Sequence, residues 1–266
     1  MGFASGFPKL FVTDLDGTAL GGTRPYSRFP DELSGLLDEL DRRGCSWATN
    51  STWDVKPQMQ LVYASAVTSR PAYLIGGAGL QLCKVSADDI HPVEPYSSKM
   101  KALLEQVVRT ELQPLIRAIC GTFSAKTMSF NGFWFAMKAA EEEADQLMKL
   151  LEQKATQAPG LTIVCVPQER RFYAHPAFMR KGAGLEAILD ISGFGPEDIV
   201  VAGDETMDLD MMRPELAAHV ICPSNAHPIV KERVLQMGGV VGREPYGAGV
   251  VQAFRELVER RGWTIL

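Results

Sequence analysis

The chain has 266 residues, 46% of them hydrophobic and 22% charged, with a formal net charge of −5. That length suits one large domain or two modest ones around a real core. The acidic balance, with no Lys/Arg run interleaved with aromatics, argues against nucleic acid or an anionic membrane as partner. The five cysteines, Cys45, Cys83, Cys120, Cys165 and Cys222, are scattered and form no CxxC pair, as expected of reduced thiols. The N-terminal "MGFASGFPKLF" has neither a signal-peptide pattern nor, with Gly6 in place of Ser or Thr, a myristoylation pattern. No apolar stretch reaches the length of a membrane span. A cytoplasmic protein is expected, a monomer or weak homodimer.

The first elements alternate in type. "LFVTD" (10–14) reads as a buried strand. A helix follows from about Pro30, with Leu33, Leu36, Leu37 and Leu40 at helical spacing, and stops near Gly44. "CSWATN" (45–50) is a second strand, "WDVKPQMQLVYASA" a second helix and "AYLIGG" (72–77) a third strand. This rhythm predicts βαβ units, a parallel sheet and an α/β, Rossmann-like core.

The rhythm changes between about residues 84 and 178. A long helix is predicted over 98–119, kinked at Pro114. "TFSAKTMSF" and "GFWFAMKA" read as strands joined at Asn131-Gly132, a hairpin signal. A helix "EEEADQLMKLLEQKA" and the strands "LTIVCV" and "RFYAHP" complete an α+β unit. From Lys181 the first rhythm returns: helix, strand "DIVVAGD", a short helix near 206–212, strand "HVICP", a helix from His227 and a last helix over 249–261. The expected organisation is a core of 1–82 and 179–266 with an inserted α+β domain over 83–178.

Four stations carry chemistry, each after a predicted strand or at a helix start, where open α/β sheets bind ligands. Asp14-Leu15-Asp16-Gly17-Thr18 places two like charges beside each other, which a purely structural site would avoid. Side chains at i and i+2 share a face, so Asp14 and Asp16 can serve one site, and Gly17 lets the chain turn toward an anion. Thr49-Asn50-Ser51 offers hydroxyls to a phosphate, although such residues also serve as plain helix caps. Lys181 opens a helix against its macrodipole, a position that a bound anion would relieve and that a solvated lysine also explains. Asp204, with Asp208 four residues on, suits a hard cation such as Mg²⁺, or simple helix capping.

In this order the four stations resemble the haloacid dehalogenase superfamily of phosphotransferases. The spacing and the insert are similar to its class II members with the larger α+β cap, the Cof-like, sucrose-phosphate-phosphatase-like and mannosyl-3-phosphoglycerate-phosphatase-like group. "GGAGLQL" (76–82) and "PSNAHPIVKERV" are similar to further family segments. The chain departs from the family's usual TGR at 49–51, has Met207 where Asn is common, and has Gly76 in place of the Asn of NGA.

The resemblance implies a Mg²⁺-dependent phosphatase of a small phosphorylated metabolite, such as a sugar phosphate. Asp14 would attack phosphorus and Asp16 would act as acid, then base. Lys181 and Thr49, with Gly17 and Asn50, would hold the phosphate. Asp14, Asp16 (through its carbonyl), Asp204 and Asp208 would hold the metal. The insert would close over the site and exclude water. His175, Arg170, Arg171 and Arg180 border its return to the core and could meet polar substrate groups, or simply be solvated. Phe133, Trp134 and Phe135 read as sheet packing. The alternatives are a phosphomutase, distinguished by an isomerised product without phosphate release, and a non-catalytic binding module.

Overall fold

A computed structural model of the chain describes residues 6–22, 28–87, 89–130 and 132–263. In chain order the elements are β1 (Leu10–Thr13), α1 (Asp31–Arg42), β2 (Ser46–Asn50), α2 (Val55–Ala64), β3 (Tyr73–Gly76), β4 (Gln81–Ser86) and β5 (Asp89–Pro92). There follow α3 (Tyr96–Val107), α4 (Gln113–Cys120), β6 (Ala125–Phe130), β7 (Phe135–Ala139), α5 (Ala144–Gln157), β8 (Leu161–Val166) and β9 (Arg171–Pro176). The last are α6 (Lys181–Ser192), β10 (Ile199–Ala202), β11 (His219–Cys222), α7 (Pro228–Gln236), β12 (Val240–Val241) and α8 (Tyr246–Arg261).

The chain divides into two compact units, residues 1–97 with 180–266, and residues 98–179. The first holds an eight-stranded sheet of order β12-β11-β10-β1-β2-β3-β4-β5. Its strands are parallel from β12 to β3, and β4 and β5 add to it antiparallel. The sequence reading put the break after residue 82. Residues 83–97 instead lie in the first unit, because β4 pairs with β3 through Leu74↔Cys83 and Ile75↔Leu82 and carries β5 with it.

Both faces of the parallel strands are covered, so the strands are apolar almost throughout. Phe11, Trp47 and Leu74 point to one side, where they pack with Leu33, Leu37 and Leu40 of α1 and Val250, Phe254 and Leu257 of α8. Leu10, Val12 and Ile75 point to the other, against Leu185 and Ile188 of α6 and Val230 and Val234 of α7. α1 buries the predicted Leu stripe and carries Asp31 and Glu32 in its first turn and Arg42 in its last, which favours its dipole at both ends. Its chain turns away at Gly44, at φ +77°.

The second unit has a four-stranded antiparallel sheet, β6-β7-β9-β8. Its buried face (Phe135, Met137, Ala139, Phe172, Ala174) packs on Leu115 and Ile119 of α4 and Leu147 and Leu151 of α5. The long helix runs from Tyr96 to Cys120 with one π-helical turn at Val108–Leu112, just before Pro114. Proline has no N–H to give to the preceding turn, and a widened turn absorbs that loss without breaking the helix. Of the predicted hairpin signal, Asn131 lies outside the described residues, and Gly132 has φ +95° between the paired β6 and β7.

Candidate active site

The sheet runs outward in both directions from β1: the chain goes on to β2 and β3 on one side and returns through β10, β11 and β12 on the other. The boundary between β1 and β10 is therefore a topological switch point, where the connections diverge and open a crevice at the strand ends. Asp14 leaves β1 there, its N–H donating to Ala202 O at 3.0 Å, and Asp204 leaves the adjacent β10 two residues later.

Five buried side chains meet at this point. Lys181, first residue of α6, places Nζ 2.5 Å from Asp14 Oδ1 and 2.6 Å from Asp208 Oδ1. Asp208 Oδ2 accepts the N–H groups of Asp204 and Glu205, both at 2.9 Å, so each of its oxygens is engaged. Thr18 Oγ1 donates to Asp204 Oδ1 at 2.6 Å and lies 3.4 Å from Asp14 Oδ2. One oxygen from each of Asp14, Asp204 and Asp208 lies within 4.8 Å of the others.

Electrostatics makes this cluster incomplete. Three buried carboxylates share one ammonium. Burial pushes the Asp14 carboxyl up to about 8, although Lys181 pulls it down, and Asp208 raises it further. Burial likewise raises Asp204 to about 6, opposed by its bond from Thr18 and helped by Asp208 and Glu205. For Lys181, burial favours the neutral amine, but the two carboxylates outweigh it and hold the ammonium above its ordinary range. With all four groups ionised the cluster lacks two positive charges, and its free valences are hard oxygens, a donor set that suits a small divalent cation.

Glycines admit these contacts. Gly17 has φ +83°, and a Cβ on it would lie 2.2 Å from Asp204 Oδ2. Its N–H donates to Leu20 O at 2.9 Å, so what Gly17 supplies is room for Asp204. Gly17→Ala should therefore push Asp204 aside and cost ~1–3 kcal/mol of stability through backbone strain alone. Chemical denaturation of the variant beside wild type would show that loss.

Station two faces two ways. Thr49 is fully buried and its hydroxyl donates to Gln58 Oε1 at 2.5 Å. Asn50, on the Lys181 side of the sheet, donates to Lys181 O at 2.8 Å and so fixes the start of α6. Asp16 accepts from Trp53 Nε1 at Oδ2, 2.7 Å.

Several partners escaped sequence reasoning. Gln58, wholly buried in α2, bonds Thr49 and also the carbonyls of Trp53 and Ile75; a lone polar residue on an apolar helix face was its only signal. Asn225, inside "PSNAHP", ties Gly17 O to the N–H of Tyr246, both at 2.8 Å. Asp210 accepts from Gly182 N at 2.6 Å and from Arg180 at 3.3 Å, holding both neighbours of Lys181. Arg180 is also bound bidentate by Glu186, at 2.9 and 2.7 Å. Among the bordering residues, Arg170 pairs with Glu141 and the His175 ring stacks on Trp134 at 5.0 Å. Phe135 is buried in the sheet core as expected.

The chain is 34% identical over 85 residues to a phosphoglycolate phosphatase of Methanosarcina mazei, a match that spans about a third of that relative's length (34%) and 32% of this chain. Its fold is similar to that of a sucrose-phosphatase from Synechocystis sp. PCC6803 in complex with sucrose and phosphate, with TM-score 0.65, 16% identity and 96% and 98% of the two chains covered. It is also similar to a haloacid dehalogenase-like hydrolase from Bacteroides thetaiotaomicron, with TM-score 0.57, 15% identity and 95% and 99% covered. The family model for sucrose-6F-phosphate phosphohydrolase matches residues 7–256, nearly the whole chain, so the protein belongs to that family of haloacid dehalogenase phosphatases.

Proposed function

We propose that the chain is a Mg²⁺-dependent phosphatase of a small phosphorylated metabolite, a sugar phosphate, acting through an aspartyl-phosphate on Asp14. The observation that carries this reading is the buried set of three carboxylates on one ammonium at the switch point. The sugar phosphate follows from the family's named substrate and from the sucrose and phosphate held by the Synechocystis relative.

Asp14 and Asp204 would hold the ion with their carboxylates, with the carbonyl of Asp16 as a further oxygen. Asp208, engaged by Lys181 and two N–H groups, adds its charge directly or through water. When bound, Mg²⁺ offsets the repulsion between nucleophile and phosphate and stabilises the charge in transfer. Asp14 attacks phosphorus in line, forming a P–O bond as the ester P–O bond breaks. Asp16 gives its proton to the departing oxygen, then takes one from the water that hydrolyses the aspartyl-phosphate. Lys181 neutralises phosphate charge and restrains Asp14, and Asn50, bonded to the Lys181 carbonyl, fixes the start of the helix that carries it. Thr49, whose hydroxyl bonds Gln58, and Gly17, whose N–H bonds Leu20 O, offer the phosphate no donor in this arrangement.

EDTA should abolish phosphate release from a panel of sugar phosphates, and added Mg²⁺ should restore it. Turnover unaffected by chelation would remove the metal from the reading. An isomerised sugar phosphate without free phosphate would replace the hydrolase with a mutase.

A further inference from the structure

The indole of Trp53 touches the reaction through Asp16, a contact no sequence motif announces. Its Nε1–H donates to Asp16 Oδ2 at 2.7 Å across 37 residues of chain. That length is typical of a charge-assisted hydrogen bond. Trp53 is itself fastened on the backbone. Its N–H donates to Ser51 Oγ at 3.2 Å, and its carbonyl accepts from Gln58 Nε2 at 2.9 Å and from the Gly77 N–H at 3.0 Å. Gly76 leaves that carbonyl room, since a Cβ there would lie 2.9 Å from it. The buried Gln58 amide thus links the end of β2, the end of β3 and Trp53 into one support.

We infer that Trp53 is a positioning residue that holds the Asp16 carboxyl in the orientation its proton transfers require; this rests on the reading of Asp16 as acid and base. An indole N–H can only donate. Oδ2 is therefore the acceptor of this contact, and the carboxyl turns away from it only by breaking the bond. A carboxyl held in this way meets the leaving oxygen in the first half-reaction and the water in the second from one fixed orientation.

The test separates proton delivery from general damage. A p-nitrophenolate leaves without a proton, whereas a more basic phenolate needs one. Trp53→Phe keeps an aromatic ring and removes the N–H. Its kcat/KM should fall ~10-fold or more on phenyl phosphate and less than ~3-fold on p-nitrophenyl phosphate, the selective loss expected when a general acid is misplaced. Equal losses on both substrates, or none on either, would overturn the inference. Should Trp53→Phe fold poorly, benzothienylalanine at position 53 keeps the bicyclic shape without the N–H, and the same two ratios decide. Asp16→Asn is the control. If it too loses both substrates equally, Asp16 is not the acid and the underlying reading fails. If Asp16→Asn is selective and Trp53→Phe is not, only the role of Trp53 is overturned.

Discussion

Asp14→Asn should abolish phosphate release, by ~10⁴-fold or more as for other lost nucleophiles, and yet stabilise the metal-free protein. The folded Asp14 carboxyl is raised from 3.8 to about 8 by burial. Between those two values the folded chain keeps a proton that the unfolded chain releases, so stability falls as pH rises. In EDTA, the wild-type melting temperature should decline from about pH 4 to about pH 8. Asp204, raised to about 6, contributes the lower part of that slope. Asparagine carries no charge to bury, so the variant should melt higher than wild type at pH 8 and show a shallower decline. Adding Mg²⁺ should raise the wild-type curve more than the variant's. Melting curves of equal shape for the two proteins would contradict the assignment of Asp14 as the costly buried charge.

Lys181→Met is expected to do the reverse. Methionine fills similar volume but leaves Asp14 and Asp208 with no ammonium between them, where Lys181 now stands 2.5 and 2.6 Å from their oxygens. Breaking a buried ion pair by removing one member costs ~3–5 kcal/mol, because the other charge stays behind without compensation. Chemical denaturation at neutral pH should show a loss of that size, and phosphate release should fall ~10²–10³-fold, as when a preorganised charge donor is removed. The sign with pH follows from the cause. The pKa of Lys181 is raised, so its contribution is in place below the ordinary lysine value and is lost only as pH climbs through the higher folded one. In the variant the two carboxylates can be relieved only by protons, so its lost stability should be regained as pH falls. A variant equally destabilised at pH 5 and pH 8 would mean that lost packing, not charge, is the cause.

These two substitutions concern residues that the amino-acid sequence marks clearly. β1 is a run of apolar residues with both faces covered, and such a run reads as a strand without knowledge of its neighbours. The acids beyond it stand out because burial beside them makes like charges costly. The helices α1 and α6 and the return of the α/β rhythm at Lys181 are legible for the same reason: periodicity and termination are local. β4 and β5 were not legible. "QLCKVS" and "DIHP" are short and half-exposed, and they are strands because the edge of β3 offers them unpaired backbone groups. The two-residue β12 exists only as a partner of β11.

The local chain thus specified the central strands, the main helices and the identity of the charged residues, since each follows from hydrophobic spacing and from the chemistry of neighbouring side chains. Which donor meets which acceptor came from the folded sheet. Lys181 reaches Asp14 across 167 residues and Asn225 reaches Gly17 across 208. Thr49 turns its hydroxyl toward Gln58, while Asn50, one residue on, turns to Lys181. These directions depend on strand register, which sets the face of every side chain, and on rotamers fixed by packing. No spacing along the chain encodes either one, and the same holds for the indole that holds Asp16.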